Sequence, residues 1–247
     1  MLNTIIIGVG GQSQKDYLPF MTNSSRYNLV AICDKNEKLL NEISQQYNVP
    51  GFLSLGDLLK EINNVDVAIV AVPHNAYLGI IKELVANGIH IIKEKPFATS
   101  AQEAIEIHEC MKSSNVLLGV AMKRRFSPVF KAFLEFKKKI GRIYLVEGCY
   151  VMNIKRLDEG WRASKNQSGG GALVDLGYHY IDLIVWYMGI PRTATARMSG
   201  KSRVGQEYDV EDTVSLMLDY ASNDSDDSDQ KTVVNLVISR NYHAKKE

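Results

Sequence analysis

The sequence predicts two halves of different class: an α/β half with a doubly wound parallel sheet over residues 1–122, then an α+β half with a mainly antiparallel sheet over 123–247. Three observations carry this reading. Up to about residue 122, near-continuous apolar runs alternate with amphipathic stretches, the pattern of parallel strands covered on both faces. Beyond it, strand-like runs follow one another with few helices between them. Each half also holds a glycine-rich segment, Gly8–Ser13 in the first and Gly169–Gly171 in the second.

In the first half, Leu2–Gly8 is a β-branched run ending in glycine, the profile of a buried strand. After the glycines comes a helical stretch with Tyr17, Leu18, Phe20 and Met21, then a second strand, Leu29–Cys33, closed by Asp34. Asn36 suits the cap of a helix with Leu39, Leu40, Ile43 and Tyr47 on one side. Val65–Pro73 reads as a buried strand, Tyr77–Asn87 as a helix stopped at Gly88, and Ile89–Lys93 as a strand. Ser100 caps a helix through about Lys112, and Val116–Ala121 is the next strand. Ligands of such sheets bind beyond the carboxyl ends of the strands. Those ends carry Gly8–Ser13, Asp34, Val72–Tyr77, Glu94–Pro96 and Lys123–Arg125.

In the second half, Ser127-Pro128 opens a helix through Phe136, and Arg142–Val151 reads as a strand. A flexible triple glycine leads into a helix over Leu173–Met188. Strands are expected at Thr193–Gly200, Thr213–Tyr220 and Thr232–Ser239, with Asn223–Gln230 a solvated acidic loop and Lys245-Lys246-Glu247 a tail. Ending after a strand would leave sheet edges open, so the fold is expected to be completed by a partner or by further chain.

At 247 residues, 45% hydrophobic and 23% charged, the chain is long enough to bury a core. A net charge of +1 creates no strong field, and neither nucleic acid nor membrane is expected as a partner. Cys33, Cys110 and Cys149 match no metal or redox spacing. With no signal segment and no long apolar run, the expected compartment is the cytoplasm.

Strand, glycine turn, helix, strand, acid is the order of a dinucleotide-binding Rossmann unit. Gly8, Gly10 and Gly11 permit a tight turn whose backbone N–H groups, with Gln12 and Ser13, meet a pyrophosphate at a helix N-terminus. Asp34 lies 21 residues beyond Ser13, near the spacing of an acid that binds a ribose 2′-hydroxyl. Its charge would repel a 2′-phosphate, which favours NAD over NADP, with Lys35 partly offsetting the repulsion. Ser13 replaces the third glycine of the fingerprint. In the second half, Asp175 and His179 stand four residues apart, which on an α-helix places them on one face with β-carbons about 5–6 Å apart. A carboxylate beside an imidazole raises its proton affinity and orients it, which suits a group that moves protons. Asp175, His179 and Asp182 share that helix, but no residue set reads as a metal site.

Together these segments resemble the Gfo/Idh/MocA family of nicotinamide-dependent oxidoreductases, from residue 3 to about residue 240. The most specific elements are Glu94-Lys95-Pro96 and Gly169-Gly170-Gly171…Asp175-x-Gly177-x-His179-x-x-Asp182. Arg124-Arg125-Phe126-x-Pro128 and Trp161-Arg162 match segments found near that family's substrate. The resemblance implies that Lys95, Asp175 and His179 surround the substrate carbon, with Glu94 and Pro96 holding the lysine turn. It implies cofactor contacts from Val72, Pro73, His74, Tyr77, Glu94, Lys95, Pro96 and Arg124, and substrate contacts from Arg124, Trp161, Arg162 and Tyr178. Val72 and Tyr77 depart from the family, which carries threonine and histidine there. The chain is also short of the family's usual terminal strands. The expected function is NAD-dependent hydride transfer to or from a sugar, inositol or related polyol, in a homo-oligomer. The alternative is a catalytically silent nucleotide-binding regulatory protein of the same fold. Which of Lys95 and His179 is the base stays open.

Overall fold

The computed structural model describes residues 1–220 and 232–242, so the expected acidic loop and lysine-rich tail lie outside the described residues. Two compact units, Met1–Ala121 and Met122–Glu247, make up the chain. Among the described residues no helix is long and apolar enough to cross a membrane.

The first unit is built on six parallel strands: β1 (Leu2–Ile7), β2 (Tyr27–Cys33), β3 (Gly51–Phe52), β4 (Val67–Val70), β5 (His90–Lys93) and β6 (Leu118–Val120). Their order in the sheet is β3-β2-β1-β4-β5-β6, with the chain reversing direction of travel at β1. Side chains alternate along a strand, and the core follows. Ile5 and Ile7 of β1 pack with Tyr77, Ile81 and Leu84 of α4 (Tyr77–Ala86), Ile107 of α5 (Ala101–Lys112) and Leu58 of α3 (Leu55–Glu61). Ile6 packs on the other face, with Leu18 and Met21 of α1 (Leu18–Thr22) and with Leu40 and Ile43 of α2 (Glu37–Tyr47). Helices therefore cover both faces, as doubly wound sheets require. Asn36 and Ser100 cap α2 and α5, their side chains accepting from Leu39 N and Glu103 N at 3.1 Å each.

Two elements here escape the sequence pattern. β3 has only two residues, too few for a period. α3 spans seven residues and is capped by Ser54, which accepts from Asp57 N.

The second unit contains α6 (Pro128–Phe136), α7 (Lys165–Ser168), α8 (Tyr178–Met188), β7 (Leu145–Val151), β8 (Thr193–Gly200), β9 (Glu211–Tyr220) and β10 (Thr232–Ser239). α7, a single turn, is likewise absent from the sequence reading. α6 starts where expected, although Ser127 makes no side-chain capping bond. The sheet order is β7-β10-β9-β8, antiparallel at β10–β9 and β9–β8 and parallel at β10–β7. Alternate residues Val214, Leu216 and Leu218 of β9 and Val234, Leu236 and Ile238 of β10 form the core with Leu176 and Ile184.

Candidate active site

Because all six strands of the first sheet run parallel, the segments following β1, β2, β4 and β5 emerge at its carboxyl end. After β1 the chain turns at Gly8, whose φ is +88° and where a β-carbon would lie 2.3 Å from the carbonyl oxygen of Ala71. Only glycine meets both conditions. At Gly10 and Gly11 an added β-carbon meets nothing within 4 Å, so the turn presents open backbone. The helix that follows makes its first bond from Gln14 N to Gly10 O at 3.1 Å. The N–H groups ahead of it therefore have no intrahelical acceptor and face the turn, as a pyrophosphate requires. These residues fit a dinucleotide.

Ser13 is wholly buried, and its hydroxyl donates to Gly8 O at 2.5 Å. The serine that stands in place of the third glycine thus ties the helix back to the glycine turn. The helix is π-helical over Ser13–Tyr17, before α1. Gln12 donates to Asp16 Oδ2 at 2.6 Å. Asp34, after β2, accepts from Val9 N at 2.8 Å through one oxygen and from Asn36 N at 2.9 Å through the other. It braces the glycine turn as well as ending the strand. Lys35 beside it is exposed.

After β4, Val72 and Pro73 are half-buried, while His74 and Tyr77 are buried at 3% and 1% exposure. Their rings stack with centroids 5.8 Å apart. After β5, Glu94 accepts from the Tyr17 hydroxyl at 2.5 Å, which bonds the lysine turn directly to the helix following the glycines. Burial and Glu94 together push the Tyr17 phenol far above the usual range, so it stays a neutral donor. Lys95 is half-buried and joined to Pro96 by a cis peptide bond, and the Tyr77 hydroxyl lies 3.5 Å from its carbonyl oxygen.

Sequence reasoning missed Lys93, which the strand pattern absorbs as a terminal β5 residue. Its side chain is wholly buried. Its Nζ donates to Pro96 O at 2.5 Å and Phe97 O at 3.1 Å, and sits 3.5 Å from the centroid of the Tyr77 ring.

In the second unit the triple glycine is packed rather than flexible. A β-carbon on Gly171 would lie 1.8 Å from the carbonyl oxygen of Glu211. The Glu211 carboxylate in turn accepts from Gly171 N at 2.8 Å and Leu173 N at 2.9 Å. Glu211, also missed, anchors the start of the helix on β9. The helix is π-helical over Leu173–Gly177 and continues as α8 from Tyr178. Asp175 lies within the π-helical stretch and His179 in the first turn of α8, four residues on. Arg162 Nε lies 3.5 Å from Asp175 Oδ1. Tyr178 and His179 are half-buried. Arg162 also covers Trp161, 4.3 Å from its ring centroid.

Arg124, in the helical turn Lys123–Phe126, stacks its guanidinium 4.7 Å from the Tyr150 centroid and 5.1 Å from that of Tyr180. Arg125 forms a two-point pair with Asp182 at 2.9 and 2.6 Å, so the last acid of the glycine motif anchors that turn. Arg240 at the end of β10 is 3% exposed, and its Nε has no hydrogen-bond partner among the described residues.

Residues 2–122 match the oxidoreductase family with an NAD-binding Rossmann fold, and residues 136–247 match the C-terminal domain of the same GFO/IDH/MocA family. The chain belongs to that family, and its first unit is the family's NAD-binding fold. It is 24% identical to an uncharacterized oxidoreductase of Schizosaccharomyces pombe, over 96% of this chain and 64% of that protein. It is 25% identical to a trans-1,2-dihydrobenzene-1,2-diol dehydrogenase of Xenopus tropicalis, over 79% of this chain and 58% of that protein. The crystal structure of the WlbA dehydrogenase of Bordetella pertussis, in complex with NADH and UDP-GlcNAcA, superposes with a TM-score of 0.86 at 21% identity. That match covers 100% of this chain and 69% of the other. The chain thus spans less than two thirds of these curated relatives.

Proposed function

We propose that this chain forms the cofactor and substrate parts of an NAD(H)-dependent dehydrogenase acting on a secondary alcohol or ketone of a sugar, inositol or related polyol. The supporting observation is the strand-end cluster of the first unit. The glycine turn, Asp34 and the Glu94–Pro96 turn share the carboxyl end of the sheet, and Tyr17 of the helix after the glycines bonds Glu94. NAD, when bound, accepts or returns the hydride. Residues 1–122 serve the dinucleotide and residues 123–247 the substrate.

Oxidising an alcohol requires a group to take the hydroxyl proton while hydride leaves carbon. Lys95 and His179 fill the two proton-handling roles in this proposal, and Asp175, drawn toward Arg162, orients the substrate. Arg124, Trp161, Arg162 and Tyr178 form the substrate contacts. The relatives support this substrate class: one bears the name of a diol dehydrogenase and another is bound to a nucleotide sugar.

The test is a Lys95→Ala variant. NADH binding within about threefold of the parent, with turnover reduced by at least a hundredfold, is expected, in line with the ~10²–10⁴-fold contribution of a positioned proton-transfer group. Parental turnover in a variant that binds NADH normally contradicts the proposal.

A further inference from the structure

We propose that Lys93 is a positioning residue for Lys95, holding the turn that presents it. The inference rests on the role of Lys95 proposed above. β5 ends at Lys93, and the chain turns back at once through Glu94, Lys95 and Pro96. A turn leaving the carboxyl end of a strand has carbonyl groups that the strand ladder no longer satisfies. The ammonium of Lys93 takes up two of them, Pro96 O and Phe97 O, from beneath. Tyr77 closes the arrangement: its ring lies against Nζ and its hydroxyl reaches Lys95 O. The backbone is thereby held on both sides of Lys95, while Tyr17 holds Glu94.

A buried lysine is costly and is rarely found without paired partners. Here burial draws its pKa down to about 7, with the carboxylates of Glu103 and Glu94 opposing the fall. Charged or neutral, the amine keeps N–H donors for both carbonyls, so the hold persists across the neutral range. An apolar strand end would have packed this position without that cost. What Lys93 adds is a fixed turn.

The experiment is acetylation of the full chain by acetic anhydride at pH 8, with lysine-by-lysine rates read by mass spectrometry and exposed Lys35 as internal reference. In Lys93→Met the Lys95 rate is expected to change at least fivefold relative to Lys35. In Lys93→Arg, which keeps both donors, it is expected to stay within twofold of the parent. A Lys95 rate unchanged in folded Lys93→Met overturns the inference, and so does a uniform change across all lysines, which marks general loosening. Should Lys93→Met lack a cooperative melt, Lys93→Gln, which shortens the side chain and removes the ammonium while staying polar, is judged by the same criteria. A parent chain with no NAD-linked turnover would defeat the dehydrogenase reading alone, because the labelling still decides whether Lys93 governs Lys95.

Discussion

Asp34 does two jobs at the end of β2. One oxygen holds Val9 N and the other Asn36 N, which leaves the carboxylate fixed beside the glycine turn and its charge in place for a ribose diol. A fixed negative charge discriminates against a 2′-phosphate through repulsion, and a hydrogen bond to a charged group is worth about 1.5–3 kcal/mol. Asp34→Asn is therefore expected to weaken NADH by about tenfold and to narrow the gap between NADH and NADPH, both read by fluorescence titration. NADPH binding as tight as NADH in the parent would show that Lys35, not Asp34, sets the preference. Ser13 shows how one residue can satisfy a rule by other means: its buried hydroxyl, bonded to Gly8 O, makes the contact a glycine would have made by absence.

At the scale of elements, the two glycine segments work by opposite physics. Gly171 is filled space, with Glu211 O where a β-carbon would stand, whereas Gly10 is open space. Gly171→Ala is expected to lower stability by about 3 kcal/mol, the upper end of overpacking costs, as measured by denaturant melts. Gly10→Ala should melt within about 0.5 kcal/mol of the parent yet lose NADH affinity at least tenfold, because its methyl fills the pyrophosphate approach. A destabilised Gly10→Ala with normal NADH affinity would reverse that assignment. The strands, most helices and the caps at Asn36 and Ser100 were legible because apolar periodicity and capping chemistry are local. The π-helical stretches at Ser13–Tyr17 and Leu173–Gly177 were not, since one extra residue per turn barely alters a hydrophobic pattern. The triple glycine looked flexible because its reason, the backbone of Glu211, lies some forty residues on. Lys93 was hidden for a similar cause: a lysine ending a strand reads as solvated, and only the returning turn reveals what its ammonium serves.

For the molecule as a whole, the second sheet has a face turned away from the helix α8. Leu145, Met217 and Val237 on it are 44%, 42% and 44% exposed, on adjacent strands β7, β9 and β10. The same face carries Glu147, Asn235 and Ser215, and exposed apolar side chains on adjacent strands are a common feature of association surfaces. The 247-residue chain is expected to form a dimer or larger homo-oligomer by light scattering at micromolar concentration. A stable monomer with a cooperative melt would show that the sheet needs no cover. The central claim, hydride transfer on NAD, is tested most directly by following NAD reduction by absorbance across a panel of polyols, sugars and sugar nucleotides. The account predicts NAD-linked turnover on at least one of them. Stoichiometric NADH binding with no turnover anywhere on the panel would contradict it and point instead to a regulatory protein that keeps the fold and the cofactor without the chemistry.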